Sequence, residues 1–237
     1  MDIVWNESEQ QHVLDHSHRT RLSPSLLPAP KIFYDCRMNS AQPIVFRNAT
    51  LADVPAVVEL VESAYRGTGS RAGWTTEADL LDGQRTDELE IREIISGAHS
   101  LIRLAQQPNA IEQDLQQTEA RARKNQPSSI VACVRIENAG DAGYIGMVSV
   151  RPTLQAAGIG RQLLQEAERV IRDELGLSRA RMTVIAQRET LISWYQRRGY
   201  LLTGKRENFP YNEPRAGTPR RDDLYFQVLE KTLTPHH

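Results

Sequence analysis

The sequence predicts a mixed α/β layer fold built around one sheet. Two observations carry this expectation. Apolar runs of strand length alternate with amphipathic stretches of helical spacing, and glycines or turn-rich segments separate them. The chain has 237 residues, 40% hydrophobic and 25% charged, which suits one substantial domain with an extension.

Residues 1–42 read as a poorly ordered N-terminal extension, with Pro24, Pro28 and Pro30 and no sustained periodicity. Asp2, Glu7, Glu9 and Asp15 argue against a transit peptide, and the charged-then-apolar build of a signal peptide is missing. Met38 is a candidate alternative start. The His16-x-His18 pair has no further ligands beside it, so no metal site is expected. The domain is expected over 43–237. It opens with a strand, Pro43–Arg47, followed by a capping box, Thr50-x-x-Asp53. Val54, Val57, Val58, Val61 and Tyr65 then share one helical face. The segment 66–88 reads as a loop with one short helix, Leu89–Ile95 as a helix and Ser100–Leu104 as a strand. A Gln-rich insertion, 108–126, precedes two strands, Ser129–Glu137 and Tyr144–Val150, joined by a glycine-containing hairpin.

The clearest helix carries Leu163, Leu164, Ala167, Val170, Ile171 and Leu175 as one stripe and stops at Gly176. Strands at Arg181–Ala186, Tyr200–Gly204 and Leu224–Leu229 follow, with a helix at Thr190–Arg198 and a loop at Phe209–Pro219.

The formal net charge of -1 supplies no global field for nucleic acid or an anionic membrane, so neither partner is expected. No apolar stretch approaches the ~18–20 residues of a membrane span. Cys36 and Cys133 form no CxxC motif or disulfide framework, which fits a reducing, cytoplasmic setting. Any anionic ligand must therefore be held locally. The string Gln155-Ala156-Ala157-Gly158-Ile159-Gly160, between a strand and the clearest helix, offers such a place. A helix start presents unpaired N–H groups, and glycine lets an anion approach them closely. Two familiar phosphate loops fail on residues: Arg161-Gln162 stands where a P-loop needs Lys-Ser/Thr, and Leu163 where a dinucleotide fingerprint needs a small residue.

Val148-Ser-Val-Arg-Pro152, the glycine string, the Leu-Leu helix and Ser193-Trp-Tyr-Gln-Arg-Arg-Gly-Tyr200 together resemble the GNAT N-acetyltransferase superfamily, over roughly 43–230. The resemblance implies a mostly antiparallel central sheet, splayed at an acetyl-CoA site and flanked by helices. It implies that backbone groups of Met147, Val148, Ser149 and Val150 pair with the pantetheine arm and that a bulge there exposes an amide. It implies that the amides of Gln155, Ala156, Ala157, Gly158, Ile159, Gly160 and Arg161 hold the pyrophosphate, and that Tyr195 protonates the departing thiolate. Seven residues before Tyr195 the family often has Asn. Here Arg188 either reaches a cofactor phosphate or points into solvent.

The acceptor side is less defined. The strand Arg181–Ala186 holds no carboxylate, and Thr183 at most anchors a water. Trp74, Glu77 and Asp82 stand in the early loop, where the resemblance places an acceptor wall. Trp74 offers an aromatic face and either acid an ammonium ligand, or they form a solvated acidic helix with a hydrophobic anchor. Phe209 and Tyr211 form a second candidate wall. The reading is acetyl transfer from acetyl-CoA to a primary amine of a small molecule, by direct attack. A non-catalytic acyl-CoA-binding module, acetylation of a protein N-terminus and a homodimer stay open.

Overall fold

The computed structural model describes residues 43–107, 129–213 and 216–234. The expected extension with His16 and His18, and the Gln-rich insertion 108–126, lie outside the described residues. The chain enters through strand β1 (Val45–Asn48), and Thr50 and Asp53 start the first helix as the sequence predicts. The Asp53 carboxylate accepts from the Thr50 N–H and hydroxyl, both at 2.8 Å, and from Arg47 at 2.7 and 2.8 Å. These bonds hold its pKa down to about 2. Helix α1 (Val54–Tyr65) follows, with Val54, Val57, Leu60, Val61, Ala64 and Tyr65 buried.

One helical turn, α2 (Gly67–Ser70), and a two-residue strand, β2 (Leu81–Asp82), interrupt the next loop before helix α3 (Glu88–Ser96). The acidic segment 77–82 thus forms no helix. The main strands β3 (Ser100–Gln107), β4 (Ser129–Asn138) and β5 (Gly143–Val150) come next. Helix α4 (Ile159–Arg169) runs on into a wider turn, where the Leu175 N–H reaches the Val170 carbonyl at 3.0 Å. Strand β6 (Arg179–Ile185), helix α5 (Glu189–Gln196) and strand β7 (Leu201–Asn208) follow. A short strand, β8 (Thr218–Pro219), and β9 (Tyr225–Thr232) close the domain.

Among the described residues, seven strands form one sheet in the order β1-β3-β4-β5-β6-β9-β7. Every neighbouring pair is antiparallel except β5 with β6. Helices cover both faces. On one, Leu163, Leu164 and Ile171 pack with Ile136, Ile145 and Met182. On the other, Val57, Leu60 and Ile91 pack with Ile102, Leu104 and Cys133. Burial on both faces explains why β4 reads as an almost continuous apolar run. Truncating a fully buried residue such as Leu163 to Ala costs roughly 2–5 kcal/mol. Gly143 is required by this packing, because a Cβ there would lie 2.4 Å from the Ile171 side chain.

The parallel pair is the weak seam of the sheet. β5 and β6 are in register only at Gly143–Ala180 and Tyr144–Arg181, then part. Opposite Val134, the ladder of β4 with β5 slips by one residue, and Met147 takes φ 51°, a left-handed bulge. Mixed, mostly antiparallel and splayed between β5 and β6, the sheet is the one the resemblance implies. A small ribbon of β2 with β8 ties the loop 66–88 to the loop 209–219. Nothing in the local sequence pattern announces it. No helix among the described residues is long and apolar enough to cross a membrane.

Candidate active site

The loop between β5 and α4 folds as the glycine spacing predicts. Ala156 and Gly158 take φ 73° and 82°, which turns successive amides outward at the start of α4. The amides of Gln155, Ala157 and Arg161 donate to the carbonyls of Pro152, Leu154 and Gly158. Those of Ala156, Gly158, Ile159 and Gly160 have no acceptor among the described residues. The expected row of seven donors is therefore a nest of four. Three of its members have spent their N–H groups on forming the turn.

Ala156, Gly158 and Gly160 border a cavity of about 160 Å³, also lined by Val148, Val150, Trp74, Trp194, Arg161 and Arg198. The Arg198 guanidinium lies 3.5 Å from the centroid of the Trp194 ring and donates to the Trp194 carbonyl at 2.8 Å. Burial, then Arg197 and Arg161 beside it, lowers its pKa, so an anion here relieves a crowding of cations. Arg198 carries no motif signal of its own. It becomes visible only when the C-terminal end of α5 is placed against the loop.

Gln155 turns out to be a staple. Its side-chain oxygen accepts from the Trp74 N–H at 3.0 Å, and its amide nitrogen donates to Thr75 Oγ1 at 3.0 Å and the Val150 carbonyl at 3.2 Å. Trp74 is thereby drawn to the loop's side of the cleft, with its ring 6.1 Å from that of Trp194. It lines the first cavity and not the second.

A second cavity, about 180 Å³, opens where β5 and β6 part, and Tyr65, Val148, Arg188, Leu191 and Tyr195 line both. Tyr195 is buried, 4% exposed, and sits edge-on to Trp194 and Tyr200. Burial, reinforced by Tyr65, raises its pKa well above the ordinary phenol range. Its hydroxyl keeps its proton at neutral and mildly alkaline pH, as a proton donor must. Tyr65 donates to the Val148 carbonyl at 3.0 Å, fixing the end of α1 to β5 just past the bulge. Of the expected backbone strip, Val148 and Val150 face the first cavity, while Met147 and Ser149 bury their side chains in the core. Beneath them, Cys133 is fully buried and its thiol is pushed up to about 12.

The residues expected to contact an acceptor scatter. Glu77 lines the second cavity, but it is buried between Arg66 and Arg188, each 2.6 Å away. Burial opposes its charge, yet Arg188 and Arg66 outweigh it, and its pKa lies below the ordinary carboxylate value. A carboxylate so held is a poor base. Arg188 does not point into solvent; its side chain is largely buried and pairs with Glu77. It also donates to the Thr75 carbonyl, and with Glu77 it forms a wall between the cavities.

Asp82 is exposed, 3.6 Å from Arg220 on the β2–β8 ribbon, and lines neither cavity. Phe209 packs with Leu81, Ile185 and Leu224, and the Tyr211 hydroxyl accepts from the Leu224 N–H at 2.6 Å. Both border a separate surface recess. In their place the second cavity shows Arg85, Glu90, Arg135, Tyr144 and Thr183, the last two hydroxyls 2.8 Å apart.

Residues 96–200 match the acetyltransferase (GNAT) family. No curated protein sequence matches the chain. Three solved structures share its fold. One is a protein provisionally named a phosphinothricin N-acetyltransferase, 15% identical at TM-score 0.55, with 81% of this chain and 100% of that one covered. Another is the ribosomal-protein-S18-alanine N-acetyltransferase from Escherichia coli, 13% identical at TM-score 0.53, with 82% and 97% covered. The third is a spermidine N-acetyltransferase variant from Vibrio cholerae, 10% identical at TM-score 0.53, with 80% and 93% covered. At such identities the likeness is one of fold. The segment that matches the GNAT family model holds the bulge, the amide nest and Tyr195, and the fold around it is one that solved N-acetyltransferases share.

Proposed function

We propose that the protein transfers an acetyl group from acetyl-CoA to a primary amine of a small molecule, by direct attack of the amine. The observation that carries this reading is the position of Tyr195 between a nest of free amides and a separate charged cavity. The amides of Ala156, Gly158, Ile159 and Gly160, with Arg161 and Arg198, suit the pyrophosphate of the donor. The strip Val148–Val150 suits its extended arm. Once bound, the thioester supplies an electrophilic carbonyl and a thiolate leaving group.

Tyr195 gives its proton to the sulfur as the carbon–sulfur bond breaks. Glu90 has no ion-pair partner among the described residues and accepts only from the Thr86 hydroxyl, at 2.8 Å. It takes the proton that the ammonium must lose. A cavity of about 180 Å³ favours a small acceptor over a protein terminus. A cytoplasmic setting, which supplies acetyl-CoA and keeps Cys133 reduced, suits the activity.

The test is thiol release from acetyl-CoA over a panel of amines. Amine-stimulated release is expected, with kcat about 10²-fold lower in Tyr195→Phe, the usual scale of acid–base assistance. Tight acetyl-CoA binding without amine-stimulated release from any panel member would overturn the reading in favour of a binding module.

A further inference from the structure

Arg85 brings to the second cavity a guanidinium that feels Glu77 and Glu90 through space but makes no hydrogen bond or close ion pair with any described residue. Its backbone is pinned: the N–H groups of Arg85 and Thr86 both donate to Glu62 Oε1, at 2.6 and 2.8 Å. Two residues on, Asp87 caps α3 by accepting from the Glu90 N–H at 2.7 Å. So held, Arg85 lines the cavity with its guanidinium 5.4 Å from the centroid of the Tyr65 ring. The other arginines nearby are engaged: Arg66 and Arg188 with Glu77, Arg135 with Glu137. Arg85 has no hydrogen bond or ion pair through its side chain among the described residues.

The charges facing the space lean the same way. Arg85, Arg135 and Arg188 line it against Glu77 and Glu90, and Glu77 already serves two guanidiniums. A polycationic acceptor would bring further positive charge into this setting. An acceptor with a carboxylate gives Arg85 a direct counter-charge, and the planar fork of a guanidinium matches a carboxylate in a bidentate manner.

We propose that the acceptor amine carries a carboxylate, as an amino acid does, and that Arg85 is the residue that recognises it. The assignment rests on the acetyl-transfer reading for the amine, but not for the carboxylate, whose binding is measurable by itself. Glu90 then faces the ammonium end of the same zwitterion, and the hydroxyl pair Tyr144–Thr183 lines the space between the sheet strands.

Binding to the CoA-saturated protein is measured by calorimetry for the L-amino acids, their carboxamides and spermidine. At least one amino acid is expected to bind about 10-fold or more tighter than its carboxamide. In Arg85→Gln that preference falls to near unity, and Arg85→Lys restores part of it. Unchanged acetyl-CoA affinity in each variant reports an intact fold.

Absence of any carboxylate preference, or a preference that survives in Arg85→Gln, overturns the proposal. Acetylation of the same panel separates the two readings. Amino acids that bind through Arg85 without being acetylated leave carboxylate recognition standing and contradict acetyl transfer. Acetylation of spermidine or carboxamides with no carboxylate preference contradicts this proposal and leaves acetyl transfer standing.

Discussion

The two cavities that meet at Tyr195 are built from different kinds of groups. On the side proposed for the donor the polar atoms are mainly backbone amides of one short loop, with Arg161 and Arg198. On the side proposed for the acceptor they are side chains from α1, the loop before α3, α3 itself and the strands β4, β5 and β6. A backbone site needs a conformation, and Gly158 with its φ of 82° largely supplies it. A side-chain site needs long-range packing, and here the packing includes a buried carboxylate shared by two guanidiniums. The donor side is therefore robust in fold and sensitive in binding. The acceptor side is sensitive in both.

The largest expected effect lies on the acceptor side. Glu77→Gln leaves Arg66 and Arg188 buried without a counter-charge, at a cost of about 3–5 kcal/mol in chemical denaturation at neutral pH. The pH dependence has a definite sign. Because the folded pKa of Glu77 is lowered, its contribution is present above the ordinary carboxylate pKa of about 4.3 and fades as pH falls through the folded value. The gap between wild type and Glu77→Gln should therefore narrow in acid. A loss below about 1 kcal/mol would show that the wall between the cavities is not held by this pair.

A smaller effect, confined to binding, is expected on the donor side. A Cβ at Gly160 would find Trp194 at 3.6 Å and Val150 at 3.7 Å, ordinary contacts, and the residue does not need a left-handed φ. Gly160→Val should therefore fold, yet fill the space over the amide nest. Acetyl-CoA affinity is expected to fall about 10²-fold, or about 2.7 kcal/mol, with little change in melting temperature. Gly158→Val is a less clean probe, because its positive φ adds backbone strain to any loss of binding.

The same contrast explains what the sequence made legible. The glycine loop, the stripe of α4 and the Thr50–Asp53 cap are local patterns, and local patterns survive without tertiary knowledge. Arg85, Glu90 and Tyr65 carry no such pattern. Their meaning comes from the parting of β5 from β6 and from the Tyr65–Val148 bond across the core. Trp74 lies apart from Glu77 for a related reason. The resemblance places the whole early loop at one wall, but Gln155, eighty-one residues away, holds Trp74 beside the first cavity. Arg188 and Glu77, read separately and each with a solvent-facing alternative, pair with each other.

The central claim is that the donor lies on the amide nest with its sulfur delivered to the Tyr195 junction. A structure of the protein with bound acetyl-CoA tests it most directly. Pyrophosphate oxygens are expected within hydrogen-bonding distance of the amides of Ala156, Gly158, Ile159 and Gly160, and the thioester sulfur beside the Tyr195 hydroxyl. A pyrophosphate bound elsewhere, or a sulfur that does not reach the junction lined by Tyr65, Val148 and Tyr195, would contradict it.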